Sequence, residues 1–281
     1  MDIKINTPRA GRPASQTAPS KNSQPQTAIG FIGLGHMGKP MAANLAAAGH
    51  SVTACVRHAD EVQGLAPPLR AAVLFGHGEN FSRGVDVDAF TALAKTGKLT
   101  GVGEGEIDPL GKSSRLTKPL VVVVHGDTWN LGHELHLVAD IRIASADVRF
   151  GQDENTHGRF PGGGATIRFV REAGWGNAIR YMLTGDHWGA EEALRMGIVQ
   201  AIAPDPPSAL EAGVAIAQKI AACGPLGIRL TLDSAHLAID QGDQVAFSRL
   251  DEQYGSLYHT EDFIEGRRAE AEGRPPVYRG H

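Results

Sequence analysis

Residues 118–169 read KPLVVVVHGDTWNLGHELHLVADIRIASADVRFGQDENTHGRFPGGGATIRF. Within them Leu120–Val124 is an unbroken apolar run bounded by Pro119 and by His125-Gly126, the pattern of a short strand buried on both faces. A helical segment from about Leu131 to Val138 follows and ends near Asp140; Ile141–Ile143 and Val148–Phe150 then read as two further short strands. The glycine-rich turn from Gly158 to Gly164 leads into a helix through Phe169, Val170 and Arg171. Upstream, Arg70–Phe75 is another buried-type strand, and Phe81–Asp86 is a tight glycine loop. Downstream, helical patterns cover Ala190–Met196, Ser208–Ala222 and a series ending at Glu272, with a break at Gly224-Pro225. Strands alternating with helices, followed by a helical tail, predict a layered α/β fold. There is no internal repeat of the period that marks a solenoid.

Composition narrows the function. The chain has 281 residues, 42% hydrophobic and 21% charged, enough to bury a substantial core. Its 27 Lys and Arg against 31 Asp and Glu leave a net charge of −4 with no basic block, which argues against nucleic acid or an anionic membrane as partner. Two cysteines, Cys55 and Cys223, cannot build a disulfide framework and fit a reducing, cytoplasmic location. No apolar run reaches the roughly 18 residues of a membrane span. Residues 1–27 have no apolar signal core and read as a disordered Ser, Thr, Pro and Gln-rich tail. Thirty-five glycines exceed the usual share of about 7%, so backbone is expected to approach something closely in several places.

One such place is near the amino end. Ile29–Ile32 reads as a strand, Gly33-Leu-Gly35-His-Met-Gly38 as a GxGxxG turn, Lys39–Ala48 as a helix and Ser51–Val56 as a second strand. That order suits a dinucleotide: the glycines let backbone reach a pyrophosphate and the helix N-terminus supplies unpaired N–H groups. Arg57 stands where an acidic residue would hold a ribose hydroxyl, so any preference leans to NADP. The segment IGFIGLGHMGKPMAANLAAAGHSVTACVRHADEV resembles the start of the β-hydroxyacid dehydrogenases, such as 3-hydroxyisobutyrate dehydrogenase, over about residues 28–62. That family's substrate-binding Ser-Gly-Gly segment and its catalytic lysine helix are not found downstream. A lone βαβ cannot complete a dinucleotide-binding sheet, so the segment reads either as a nucleotide site or as a replacement for a strand–helix–strand of another fold.

The acid–base chemistry points elsewhere. Glu134 lies early on the helix after the valine strand, and Glu154 just past the Val148–Phe150 strand. Two carboxylates beside strand ends and glycine turns can divide acid and base roles if their surroundings push their pKa values apart. Taken singly, either is an ordinary surface glutamate or helix cap. The stretch 118–169, with FGHGENFSRGVDVD at Phe75–Asp88, LTGDHWGAEEALRMGIVQAI and the closing HTEDFIEGRRAEAEGRPP, resembles the crotonase (enoyl-CoA hydratase/isomerase) superfamily over roughly 69–281. The family pattern is a strand, Asn-Gly, Gly-Gly-Gly-x-Glu-Leu, Asp, Ala-x-Phe-Gly-x-Pro-Glu and Gly-x-x-Pro-Gly-x-Gly.

The resemblance implies an α/β fold, a crotonase-like layered ββα superhelix with a C-terminal helical segment, here with an atypical Rossmann-like βαβ at the N-terminus. It implies a core over 66–204 and a helical trimerisation region over 205–281. Glu134 and Glu154 match the two hydratase glutamates, Glu134 as base toward water and Glu154 handling the proton at the α-carbon. Val85 and Leu131 match the positions whose backbone N–H groups form the oxyanion hole, and Arg83, Gly84, Asp86, Gly132, Pro161 and Gly162 line the substrate. The substrate would be an acyl-CoA thioester, with no cofactor required, and the assembly a homotrimer or hexamer. Several positions depart from the pattern: Asn130-Leu131-Gly132 replaces three glycines, His125 an asparagine and Asp153 the proline before Glu154. The family's first strand and helix are replaced by the dehydrogenase-like segment. Arg83 stands where it meets a coenzyme phosphate or is solvated.

Other motifs carry less. His133-Glu-Leu-His136 has its histidines three apart, not the four of a zinc helix, so both read as core or solvated residues and no metal is expected. Gly111-Lys112-Ser113 lacks the glycine spacing and preceding strand of a phosphate loop. Trp129, Trp175 and Trp188 read as packing residues. The leading expectation is an enoyl-CoA hydratase-like lyase, with an NADP-linked hydroxyacid oxidoreductase or a non-catalytic acyl-CoA-binding protein as alternatives.

Overall fold

The computed structural model describes residues 28–32, 51–55, 70–96 and 108–281. The glycines 33, 35 and 38, Arg57 and the predicted helix after the glycine turn lie outside them, as does the amino-terminal tail. The main sheet has six strands: β1 (Ala28–Ile32), β2 (Ser51–Cys55), β3 (Ala72–Phe75), β4 (Leu120–Val124), β6 (Ile141–Ser145) and β9 (Ala201–Ala203). Their order is β2-β1-β3-β4-β6-β9 and every pair is parallel. The two strands of the dehydrogenase-like segment thus continue the sheet of the downstream core, through pairs such as Phe31 with Val73. A second, three-stranded sheet contains β5 (Asp127–Trp129), β7 (Arg149–Gly151) and β8 (Trp188–Gly189), in the order β5-β7-β8.

Strand β4 explains the layering. All five residues are buried, as expected for a parallel strand covered on both faces. Leu120, Val122 and Val124 pack into one cluster with Phe150, Phe169 and Trp188. Val121 and Val123 face the opposite cluster with Val73, Ile143, Leu210 and Val214. Each buried valine contributes about 1.5–3 kcal/mol, and the period-2 alternation fixes which layer receives it.

Helix α1 (Val87–Ala94) follows the glycine loop, α2 (Leu131–His136) leaves β5, and α3 (Ala165–Ala173) and α4 (Trp175–Thr184) cover the cluster around Phe169. Helix α5 (Ala190–Arg195) leads to β9, and α6 (Pro206–Ala221), capped by Asp205 accepting from Ser208 N–H, covers the other face. Then come α7 (Pro225–Gln241), α8 (Asp243–Phe247), α9 (Leu250–Leu257) and α10 (Glu261–Glu272). These match the helical series expected after Gly224-Pro225, and the layered α/β architecture is the one expected. Trp188 is buried as predicted, but Trp175 is 70% exposed. It opens α4 directly after Gly174. No helix among the described residues is long and apolar enough to cross a membrane.

Candidate active site

The glycine loop, α2 and the turn after β7 meet at one end of the second sheet. Ser82 bridges to Thr128 in parallel fashion. Trp129 N–H donates to the Ser82 carbonyl (2.9 Å) and Ser82 N–H to the Asp127 carbonyl (3.1 Å). The loop 81–86 is thereby laid against the start of α2. Gly132 makes this approach possible: a Cβ there would stand 2.5 Å from the Ser82 carbonyl oxygen. A Cβ built on Gly84 would lie 3.7 Å from Leu131 N, so the Val85 loop and the first turn of α2 are adjacent. Neither the Val85 nor the Leu131 N–H donates to another group among the described residues.

Asn130, just before α2, has φ 53 and is the one non-glycine at positive φ among the described residues. Asparagine tolerates that conformation better than most residues. It is held on three sides: its N–H donates to the Gly151 carbonyl (2.9 Å), its Nδ2 to Asp153 Oδ1 (2.9 Å), and its Oδ1 accepts from Asp153 N–H (3.0 Å). The replacements Asn130 and Asp153 therefore act together. They clip the segment bearing Leu131 and Glu134 to the segment bearing Glu154.

Glu134 is 2% exposed, and its Oε1 accepts the Ala165 N–H at the start of α3 (3.0 Å). Gly163 leaves room for it, since a Cβ there would stand 2.3 Å from Glu134 Oε2. Burial pushes the Glu134 carboxyl up to about 7, and the neighbouring Glu154 carboxylate adds to this. The Ala165, Gly163 and Gly164 N–H groups oppose the shift. Glu154, 8% exposed, opens a 3-10 turn (Glu154–His157). Burial raises its carboxyl too, and Asp153 contributes in the same direction, against hydrogen bonds from its own backbone and from Gln152. Both carboxyls thus resist ionisation, Glu134 the more because of the Glu154 charge near it.

Of the residues singled out from sequence, Val85, Gly84, Leu131, Gly132, Glu134 and Glu154 are drawn together with the turn containing Pro161 and Gly162. Leu131 turns toward that turn, its Cδ1 lying 3.0 Å from a Cβ built on Gly163. The Gly162 carbonyl accepts from Lys112 Nζ (3.2 Å). Asp86 lies on an exposed stretch. Arg83 lies exposed beside Trp129. There its Nε pairs with Asp127 (2.7 Å), which is fully buried and also accepts from Arg149 (2.5 Å), and both guanidiniums lie over Trp129. Both arginine side chains stay largely in solvent, as one of the two readings of Arg83 had it, while their charged ends pair with the buried Asp127.

Sequence reasoning missed the groups around the two glutamates. Gln152 Nε2 donates to both Glu154 oxygens (2.9 and 3.0 Å), and Gln152 Oε1 faces His133 Nδ1 at 2.6 Å. Their neighbouring positions, one residue before Glu134 and two before Glu154, were the only available signal. His133 and His136 are both core residues, with rings 5.7 Å apart. No group of three or more His, Cys, Asp or Glu side chains able to hold a metal ion occurs among the described residues. At Gly111-Lys112-Ser113 the N–H groups of Leu110, Lys112 and Ser113 are taken by the Asp108 carboxylate, so the chain's own anion fills that turn.

Residues 61–281 match the family described as enoyl-CoA hydratase/isomerase, and residues 28–90 match one described as coenzyme F420-dependent NADP oxidoreductase. The enoyl-CoA hydratase EchA19 of Mycobacterium tuberculosis is 35% identical over 215 residues, 75% of this chain and 80% of its own. A solved structure of a probable enoyl-CoA hydratase/isomerase from Mycobacterium abscessus is 44% identical with a TM-score of 0.73, covering 76% of this chain and 82% of that one. The enoyl-CoA hydratase EchA1 from Mycobacterium marinum is 28% identical with a TM-score of 0.71, over 92% of this chain and 98% of its own. That last share exceeds what residues 61–281 alone supply, so the likeness of fold extends into the amino-terminal segment. The chain belongs to the enoyl-CoA hydratase/isomerase family.

Proposed function

We propose that the protein adds water to, or removes it from, a 2-enoyl-CoA thioester, with Glu134 and Glu154 as the acid–base pair. The observation that carries this reading is the placement of two buried carboxyls, on segments joined through Asn130 and Asp153, with two backbone N–H groups that have no partner among the described residues. In the hydration direction, Glu134 takes a proton from water as its oxygen bonds to the β-carbon. The double-bond electrons move toward the thioester oxygen, where the Val85 and Leu131 N–H groups stabilise the enolate. Glu154 then gives its proton to the α-carbon, leaving a 3-hydroxyacyl thioester. Dehydration runs the same transfers backward, with the pair's proton starting on Glu134. No redox cofactor enters these steps. Gly132, Pro161 and Gly162 shape the pocket, and Leu131 narrows it where the family has glycine. Arg83, Gly84 and Asp86 are assigned to the rim that meets the coenzyme.

Purified protein is expected to bleach the conjugated-thioester absorbance of a short enoyl-CoA, and Glu154→Gln to abolish this; full activity in that variant refutes the assignment. A non-catalytic acyl-CoA-binding protein would instead gain thermal stability from CoA esters without turnover.

A second reading has its own supporting observation. The order β2-β1-β3 places successive strands on opposite sides of β1, and in open parallel sheets ligands bind at the carboxyl ends of strands where the order reverses. Gly33 follows directly on Ile32, the last residue of β1. NADP held by Gly33, Gly35, Gly38 and Arg57 is the ligand this reading names, and titration with NADPH, followed by fluorescence, tests it. We assign a homotrimer or hexamer, supported by exposed apolar side chains such as Phe247 and Tyr254 on the C-terminal helices and by the lack of any buried residue in α7. The cysteine content supports a cytoplasmic location.

A further inference from the structure

We propose that His133 is a positioning residue that locks the Gln152 side-chain amide in one orientation and thereby stabilises the carboxylate that Glu154 becomes when it gives up its proton. This rests on the functional reading above and deepens it. With the amide in this orientation the hydrogens have one consistent placement. Gln152 Nε2 lies 2.9 and 3.0 Å from the two Glu154 oxygens and must donate to them. Gln152 Oε1 then faces His133 Nδ1 at 2.6 Å and can only accept, so Nδ1 carries the hydrogen. His133 Nε2 is left bare and has no partner among the described residues.

Packing holds this tautomer. The His133 ring is fully buried and meets Phe150, Phe169 and Trp188 edge-on, with centroids 5.7, 4.9 and 5.2 Å away. A bare nitrogen is tolerated in such surroundings better than an unpaired N–H. Burial also pushes the imidazole down to about 4, so the ring is neutral under ordinary conditions.

The consequence reaches the chemistry. An amide donor fixed toward Glu154 stabilises the carboxylate that forms as Glu154 gives its proton to the α-carbon, and so favours the transfer. If His133 lost its N–H, the Gln152 oxygen would be buried without a partner. Turning the amide over would restore one, by accepting the proton of a neutral Glu154. His133 is therefore linked to both glutamates, as the sequence neighbour of one and through Gln152 to the other. The charged and titratable groups around this chain are Asp153 and Arg159 beside Glu154, Arg168 near Glu134, and His136 and Arg142 near His133. None is altered in the variants below.

The test is a pH–rate series on the full chain with a short enoyl-CoA. His133→Leu is expected to lower kcat about tenfold with little change in KM, and to move both limbs of the pH profile upward. His133→Asn, whose Nδ2 stands where Nδ1 stood, is expected to restore both. In a Gln152→Leu background His133→Leu should add nothing. Unchanged rate and profile in His133→Leu, or a lowered rate with an unmoved profile that adds fully to Gln152→Leu, overturns the proposal. The tautomer can be read without any variant, by 15N NMR of histidine-labelled wild-type protein. A hydrogen on Nδ1 is expected, and a hydrogen on Nε2 overturns the proposal. That measurement needs no turnover, so a protein inactive on every enoyl-CoA would refute the functional reading and leave the tautomer to decide this one.

Discussion

Substituting Gly132 by alanine sets two effects of opposite sign against each other. Glycine to alanine inside a helix favours folding by about 1 kcal/mol. The new Cβ, however, would stand 2.5 Å from the Ser82 carbonyl oxygen and 2.8 Å from Ser82 Cβ. Restoring ordinary contact requires loop 81–86 and α2 to part by about 1 Å. That oxygen is not free to move, since it accepts the Trp129 N–H at 2.9 Å and Ser82 is bridged to β5. Overpacking of this kind costs about 1–3 kcal/mol, so net stability is expected to fall only slightly. Catalysis should suffer far more. Val85 and Leu131 lie on the two parts being separated, and displacing or losing an oxyanion donor lowers kcat by about 10²–10³-fold. Because the enolate exists only near the transition state, KM should change little. The assay is loss of enoyl-CoA absorbance under saturating substrate, with a thermal melt on the same preparation. A folded Gly132→Ala protein with kcat within about threefold of wild type would refute the reasoning.

Other expectations follow from the same geometry. Glu134→Gln should lower hydration by about 10²–10⁴-fold yet stabilise the fold at pH 8. The native carboxyl, raised to about 7, stays protonated where the unfolded chain ionises, so wild-type stability falls as pH rises from the unfolded value toward 7. Removing that group should gain at most about 3 kcal/mol at pH 8 and nothing at pH 4, and equal melting shifts at both pH values would contradict this. His136 is fully buried with no partner for either ring nitrogen among the described residues, and burial depresses its pKa. Its neutral form is stable above the unfolded value near 6.5, so stability is lost as pH falls below it. His136→Phe should flatten that acid limb in a denaturant titration, and an unchanged limb counts against it. Asn130→Ala should cut activity and leave a protein that binds CoA esters, because it releases the clip to Asp153 while the main sheet is untouched; wild-type turnover would show the clip to be dispensable.

Much of the site was legible in the order of residues. The β-branched run at Leu120–Val124 announced a doubly buried strand, and Glu134 and Glu154 stood out by their places after strand ends. Local periodicity and turn chemistry act over a few residues, so they can be read along the chain. The Gln152–His133 contact was not legible, because a hydrogen bond between side chains 19 positions apart depends on how β7 and α2 are packed. The same holds for Arg83. Its side chain is largely in solvent, one of the two readings the sequence allowed, but its pairing with the buried Asp127, 44 positions away, could not be read along the chain.

The amino-terminal segment divides the two kinds of information most clearly. Its residues alone predicted two strands, and both are observed, as Ala28–Ile32 and Ser51–Cys55, with the GxGxxG turn outside the described residues. They could not determine which sheet the strands would join. Only the tertiary structure decided that β1 pairs with β3 and extends the hydratase-family sheet. Strand pairing is chosen by the unpaired edge that the rest of the fold presents, and a parallel partner carries no local signature to announce it. The glutamates followed the same division. Their identity and position stood in the chain, while their burial and the amide that donates to one of them arose when α2, α3 and the second sheet packed together.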